Sequence, residues 1–129
     1  MNTEDLEEFI DDFKEESIEL LEAMESYILQ MQKNGIDKET VAALFRAVHT
    51  IKGSCAVFEL EHIVKFAHIA ENLLDDIRHD KIAISDEILS LYLLTKDHLQ
   101  ELVLYAFEHR QSPSEELQAT TQSIAVQLE

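Results

Sequence analysis

From Leu6 to Met31 apolar side chains return every three or four residues: Leu6, Phe9, Ile10, Phe13, Leu20, Leu21, Met24, Ile28 and Met31, with Ser17 standing in the one gap. That spacing lays them along one stripe of an α-helix and on no single face of a strand, so the chain opens with a long amphipathic helix from Asp5 to about Lys33. Such a stripe needs other helices to cover it. Asn34-Gly35 ends the helix, because glycine enters the left-handed conformation of a helix C-terminus without a steric penalty.

The same period recurs downstream. A second helix is expected from about Asp37 to Ala56, with Val41, Leu44, Phe45, Val48, Ile51 and Cys55 as its core face. After a break near Phe58-Glu59, a third runs from about Leu60 to His79 with Ile63, Phe66, Ala67, Ala70, Leu73, Leu74 and Ile77 inward. Asp80-Lys81-Ile82-Ala83-Ile84 is a connector, and Ser85 followed by Asp86 and Glu87 has the acidic first turn of a fourth helix carrying Ile88, Leu91, Tyr92, Thr95, Leu99, Leu102, Val103 and Ala106. Ser112-Pro113-Ser114-Glu115 reads as a capping box with proline at the first helical position, opening a last helix with a thin stripe of Leu117, Thr121, Ile124 and Leu128. Short connections make consecutive helices antiparallel neighbours. The expected fold is all-α: one domain over residues 1–129, an up-and-down antiparallel four-helix bundle over about 5–107 with an additional C-terminal helix over about 113–128.

Charge narrows the partners. With 27 acidic residues against 10 basic ones, a net charge of -17, the chain cannot offer the clustered Lys and Arg that a nucleic-acid or anionic-membrane surface requires. No apolar run is long enough to span a bilayer and the N-terminus is acidic, so neither a membrane span nor an export signal is expected. Cys55 is the single cysteine, which excludes an internal disulfide and a thiolate metal cage and is compatible with a reducing cytoplasm.

The chemistry collects on the second helix. His49, Lys52 and Gly53 are three or four residues apart and share one strip at the edge of the apolar face, with Arg46 one turn earlier. A neutral imidazole has one bare ring nitrogen and is a nucleophile near neutral pH. If the third helix packs beside the second, Glu71 is placed to accept the Nδ1 hydrogen of His49 and leave Nε2 bare toward solvent, while Lys52 neutralises an incoming phosphate. His68, three residues before Glu71, is placed to tune Glu71 or Lys52. Gly53 costs the helix about 1 kcal/mol relative to alanine, a penalty explained if a partner must approach there closely; Arg46 is a second candidate for that docking surface.

Leu44-Phe45-Arg46-Ala47-Val48-His49-Thr50-Ile51-Lys52-Gly53, followed by His68-x-x-Glu71-Asn72-Leu73-Leu74, resembles the histidine phosphotransfer domain at the N-terminus of chemotaxis-type, CheA-like histidine kinases, over roughly Asp5 to Phe107. The resemblance implies that His49 is phosphorylated, that Glu71 is its hydrogen-bond partner, and that Lys52 and His68 belong to the same network. It implies a phosphocarrier that takes phosphate from a histidine kinase catalytic domain and passes it to an aspartate of a response-regulator receiver domain. No cofactor is then bound by this domain, itself expected to be monomeric; ATP enters through the partner kinase, and two glycines leave no room for a Gly-rich ATP-cradling loop. One departure stands out: the loop after the second helix usually carries glycine where this chain has Glu59.

Two other readings compete. A passive helical interaction bundle would leave Gly53 and Glu71 unexplained. A di-iron bundle finds one Glu-x-x-His pair, Glu59-x-x-His62, but needs a second, so no metal is expected. His62, His79, His98 and His109 are expected at the surface or at helix ends, and Cys55 in the core.

Overall fold

In the computed structural model, which describes residues 3–109 and 114–129, the chain is five helices: α1 (Thr3–Asn34), α2 (Lys38–Val57), α3 (Glu61–Arg78), α4 (Asp86–His109) and α5 (Glu115–Leu128). α2 packs most extensively on α3, and α1 lies against both α2 and α4. α3 and α4 touch each other less, and α5 packs on both of them. The four-helix ring and its extra helix are therefore as expected, with α5 covering the seam between α3 and α4.

The core is made by the stripes that the period marks out. Leu21, Met24 and Ile28 of α1, Leu44, Val48 and Ile51 of α2, Ile63 and Phe66 of α3, and Leu89, Tyr92 and Leu99 of α4 are all buried. Burial of each such aliphatic side chain contributes roughly 1.5–3 kcal/mol. Ser17 is buried in line with them, and Tyr92 directs its hydroxyl to the Ala70 carbonyl of α3 at 2.7 Å, so a polar group crosses the core satisfied.

Among the described residues, three helix ends use the left-handed backbone. Gly35 has φ 96° and its N–H donates to the Met31 carbonyl at 3.0 Å. Glu59 has φ 57°, with its N–H on Ala56 and the Leu60 N–H on Cys55; Asp80 has φ 60°, with its N–H on Ile77 and the Lys81 N–H on Asp76. Both are Schellman closures. The turn that the family resemblance associates with glycine is thus present with a glutamate in it.

Several expectations are corrected. Leu6 and Phe9 are exposed, because at about 1.5 Å per residue the 32-residue α1 overhangs the 20-residue α2. Phe9 instead stacks on Phe58, which also meets Phe13 at 4.3 Å. Phe45 is half-buried rather than core. His98 is no surface residue: it is 2% exposed, its Nε2 is hydrogen-bonded to Thr121 Oγ1, and its ring meets Phe66 edge-on at 5.1 Å. His62 is half-buried as well. The cap of α5 is Ser114, whose Oγ accepts from the Leu117 N–H at 3.2 Å, two residues later than a box led by Ser112. Ser112 and Pro113 lie outside the described residues, as does the side chain of His109. Ser85 caps α4 as expected, its Oγ accepting from Ile88 N–H at 3.2 Å.

Candidate functional site

Antiparallel packing of α2 on α3 brings together residues 22 positions apart in the chain: His49 Nδ1 lies 2.8 Å from Glu71 Oε2. The other carboxylate oxygen, Oε1, accepts from Lys52 Nζ at 2.9 Å. One carboxylate on α3 thus ties down two side chains that stand one turn apart on α2. Burial alone would raise the pKa of Glu71; the hydrogen bonds from Lys52 and His49, and their charges, outweigh it and hold the carboxyl below its usual range.

The 2.8 Å contact sets the tautomer of the neutral imidazole. An ionised carboxylate only accepts, so His49 Nδ1 carries the proton and donates it, and Nε2 of the neutral ring keeps its lone pair. The burial gradient points the same way: the Glu71 side chain is 12% exposed and Lys52 20%, whereas His49 is 62% exposed. The carboxylate sits beneath, and the imidazole stands open above it.

The rest of the strip is outward. Gly53 and Arg46 are exposed on the same side of α2. A Cβ built at Gly53 meets nothing within 4 Å, so nothing inside the chain demands glycine at this helical position. His68 is exposed on α3, and the structure draws no hydrogen bond or ion pair from it to His49, Lys52 or Glu71. The sequence spacing places His68 near the network; the structure leaves its ring outside the hydrogen bonds.

Two neighbours escape the sequence reading. Phe45, one turn before His49, lies with its ring 9° from parallel to the imidazole at a centroid separation of 6.1 Å. The Arg78 guanidinium, at the end of α3, sits 4.0 Å over the Phe45 ring and donates to Asp75 at 2.7 Å. The i, i+4 spacing of Phe45 and His49 was visible in the sequence; the arrival of Arg78 from another helix was not.

The site opens on the surface through His49. An apolar groove of about 310 Å³ lies nearby between Ile36, Val41, Ile77 and Ile84, with Arg78 on its edge. No group of three His, Cys, Asp or Glu side chains converges to hold a metal among the described residues, and Glu59 sits in the α2–α3 turn rather than on the helix of His62. An exposed imidazole held at one ring nitrogen by a carboxylate, with a cation one turn away, suits chemistry whose other half is brought by a second macromolecule.

Comparison with known proteins agrees in sequence and in fold. The family model described as Hpt domain matches residues 8–108. The chemotaxis protein CheA of Klebsiella aerogenes is 39% identical over 112 residues, which is 87% of this chain and 17% of that protein. The chain therefore spans about a sixth of the length of this curated relative. The phosphorylated P1 domain of CheA3 in complex with CheY6 from R. sphaeroides superposes with a TM-score of 0.80 at 26% identity, covering 95% of this chain and 98% of that one. The CheA phosphotransferase domain from Thermotoga maritima gives 0.72 at 29% identity, covering 78% and 95%.

Proposed function

The chain belongs to the Hpt domain family, and we propose that within it His49 is the phosphorylated residue of a CheA-like phosphocarrier. His49 Nε2 attacks the γ-phosphorus of ATP held by a separate histidine kinase catalytic domain; the Nε2–P bond forms, the bond to the bridging oxygen breaks, and ADP leaves. A receiver-domain aspartate oxygen then attacks the phosphorus, the N–P bond breaks, and His49 returns to its starting form. Both transfers depend on alignment and charge more than on covalent activation by the carrier.

The observation that carries this reading is the His49–Glu71–Lys52 geometry. Glu71 keeps the proton on Nδ1 through both steps, so that only Nε2 is nucleophilic. Lys52, already within 2.9 Å of Glu71, holds a cation one turn from the phosphoryl site. Gly53 and Arg46 face the approaching domain, where the missing Cβ gives it room. His68, three residues before Glu71 on α3, is exposed and makes no hydrogen bond to His49, Lys52 or Glu71. A complex between a similar P1 domain and CheY6 supports a receiver as the second partner.

The reading places the domain in the cytoplasm, where ATP and reduced thiols coexist. No helix among the described residues is long and apolar enough to cross a membrane. Cys55 is a buried free thiol whose pKa burial pushes up to about 12.

Intact mass after incubation with ATP and a chemotaxis-type kinase catalytic domain tests the proposal. The expected result is one acid-labile phosphate on the wild-type chain and none on His49→Gln, which keeps its helical circular dichroism. Equal labelling of the variant sinks the assignment of His49; a wild-type chain that takes no phosphate from the kinase or from a small phosphodonor returns the weight to a passive interaction bundle.

A further inference from the structure

The Glu71 hydrogen bond fixes one atom of the His49 ring but leaves the plane of an exposed imidazole free to swing about that contact. The plane matters, because the Nε2 lone pair lies in it and must point along the phosphorus-to-leaving-oxygen axis for in-line attack. A second restraint is present. The Phe45 ring lies 9° from parallel to the imidazole, with centroids 6.1 Å apart, within the range over which aromatic pairs attract. Phe45 is itself gripped: the Arg78 guanidinium covers its ring at 4.0 Å, and Asp75 anchors Arg78 at 2.7 Å.

The placement of these groups follows from the helix pair. Glu71, Asp75 and Arg78 are four and three residues apart and lie along one face of α3, while Lys52, His49 and Phe45 run along α2 in the opposite direction. α3 therefore holds the reactive ring twice, directly through Glu71 and indirectly through Arg78 and Phe45. Asp75 compensates the charge of Arg78, so this arm acts through packing and orientation.

We propose that Phe45, clamped by Arg78, is a positioning residue for phosphoryl transfer at His49, holding the imidazole plane while Glu71 holds its tautomer. The proposal rests on His49 being the phosphorylated residue.

The test measures initial rates of phosphorylation of the full chain by ATP and a chemotaxis-type kinase catalytic domain, with His49→Gln as the blank. Phe45→Leu is expected to lower kcat roughly tenfold with KM unchanged, Phe45→Tyr to recover most of the rate by restoring a ring, and Arg78→Ala to lower kcat in the same direction. Arg78 is exposed, so its variant keeps the proposal testable should Phe45→Leu fail to fold. A folded Phe45→Leu or Arg78→Ala chain with wild-type kcat overturns the proposal, as does a change confined to KM, which would make Phe45 a docking residue. Nuclear Overhauser contacts between the two rings, together with the couplings that report the His49 side-chain torsions, read ring orientation without any phosphate. A single wild-type orientation that is lost in Phe45→Leu is expected; an already averaged wild-type ring overturns the positioning role. A wild-type chain with an ordered ring but no phosphate marks failure of the phosphocarrier reading instead.

Discussion

Glu71 Oε2 on α3 accepts a hydrogen bond from His49 Nδ1 on α2 at 2.8 Å, while its other oxygen holds Lys52 at 2.9 Å. The carboxylate determines which ring nitrogen is bare, and its own low pKa depends on the two groups it holds. Tautomer, cation and nucleophile are therefore coupled through one side chain.

Glu71→Gln breaks that coupling with little change of shape. An amide can turn its NH2 group toward Nδ1 and stabilise the tautomer with the proton on Nε2, in which Nε2 has no in-plane lone pair with which to attack. Phosphorylation of His49 is expected to slow roughly 10- to 100-fold with helicity retained. Nitrogen chemical shifts of the ring should show the Nε2–H tautomer growing; an unchanged rate and tautomer would remove Glu71 from the mechanism.

Gly53→Ala separates stability from function. The new methyl meets nothing within 4 Å and fills an ordinary helical position, so urea unfolding should show a gain of about 1 kcal/mol. The same methyl stands where the proposed partner approaches, and transfer from kinase or to receiver should slow. A variant both more stable and equally active would show that the surface at Gly53 is not approached closely.

Glu59→Gly relieves a glutamate held at φ 57°, and Asp80→Gly an aspartate at φ 60°. Left-handed backbone costs an ordinary residue roughly 1–2 kcal/mol, partly offset by the greater chain entropy that glycine loses on folding. Glu59→Gly should raise stability by about 0.5–1 kcal/mol, and Asp80→Gly by less, because short polar side chains tolerate this conformation better. Both turns lie outside the His49 network, so the phosphorylation rate should not change; a destabilised Glu59→Gly chain contradicts the turn geometry.

Acid should act in two stages. Burial lowers the pKa of His98 below the ordinary value of about 6.5, and that of His62 in the same direction, so the unfolded chain takes up protons before the folded one. Stability therefore begins to fall as the pH drops below about 6.5, and these losses are complete once the pH is below the folded values. The burden at His98 is specific: Thr121 Oγ1 donates to the Leu117 carbonyl, leaving His98 Nε2 to donate, and the buried Nδ1 has no partner to receive a second proton. Glu71 acts in the same sense at lower pH, its contribution intact above the usual carboxylate range and lost as the pH falls through its lowered folded value. Denaturant midpoints measured from pH 7.5 to 4 should fall, and His98→Gln should flatten the upper part of the curve; an unaltered slope there would assign the loss to other groups.

Much of the molecule follows from local order. The three-to-four residue period, the glycine at Gly35 and the serine at Ser85 set the helices and two of their ends, because helix periodicity and capping are properties of neighbouring residues. The His49, Lys52, Gly53 strip is equally local, since it lies on one helix. Other features required contacts between helices. Nothing near His98 in sequence reveals that α5 covers it; nothing near Arg78 announces the Phe45 ring beneath its guanidinium. His68 shows the converse, since spacing alone puts it beside Glu71 while the packing of α2 on α3 leaves it outside the hydrogen bonds. The sequence by itself determined which side chains share a helix face. Only the tertiary structure decided which faces meet and at what register, because that depends on the simultaneous burial of all five stripes, and no single stripe carries it.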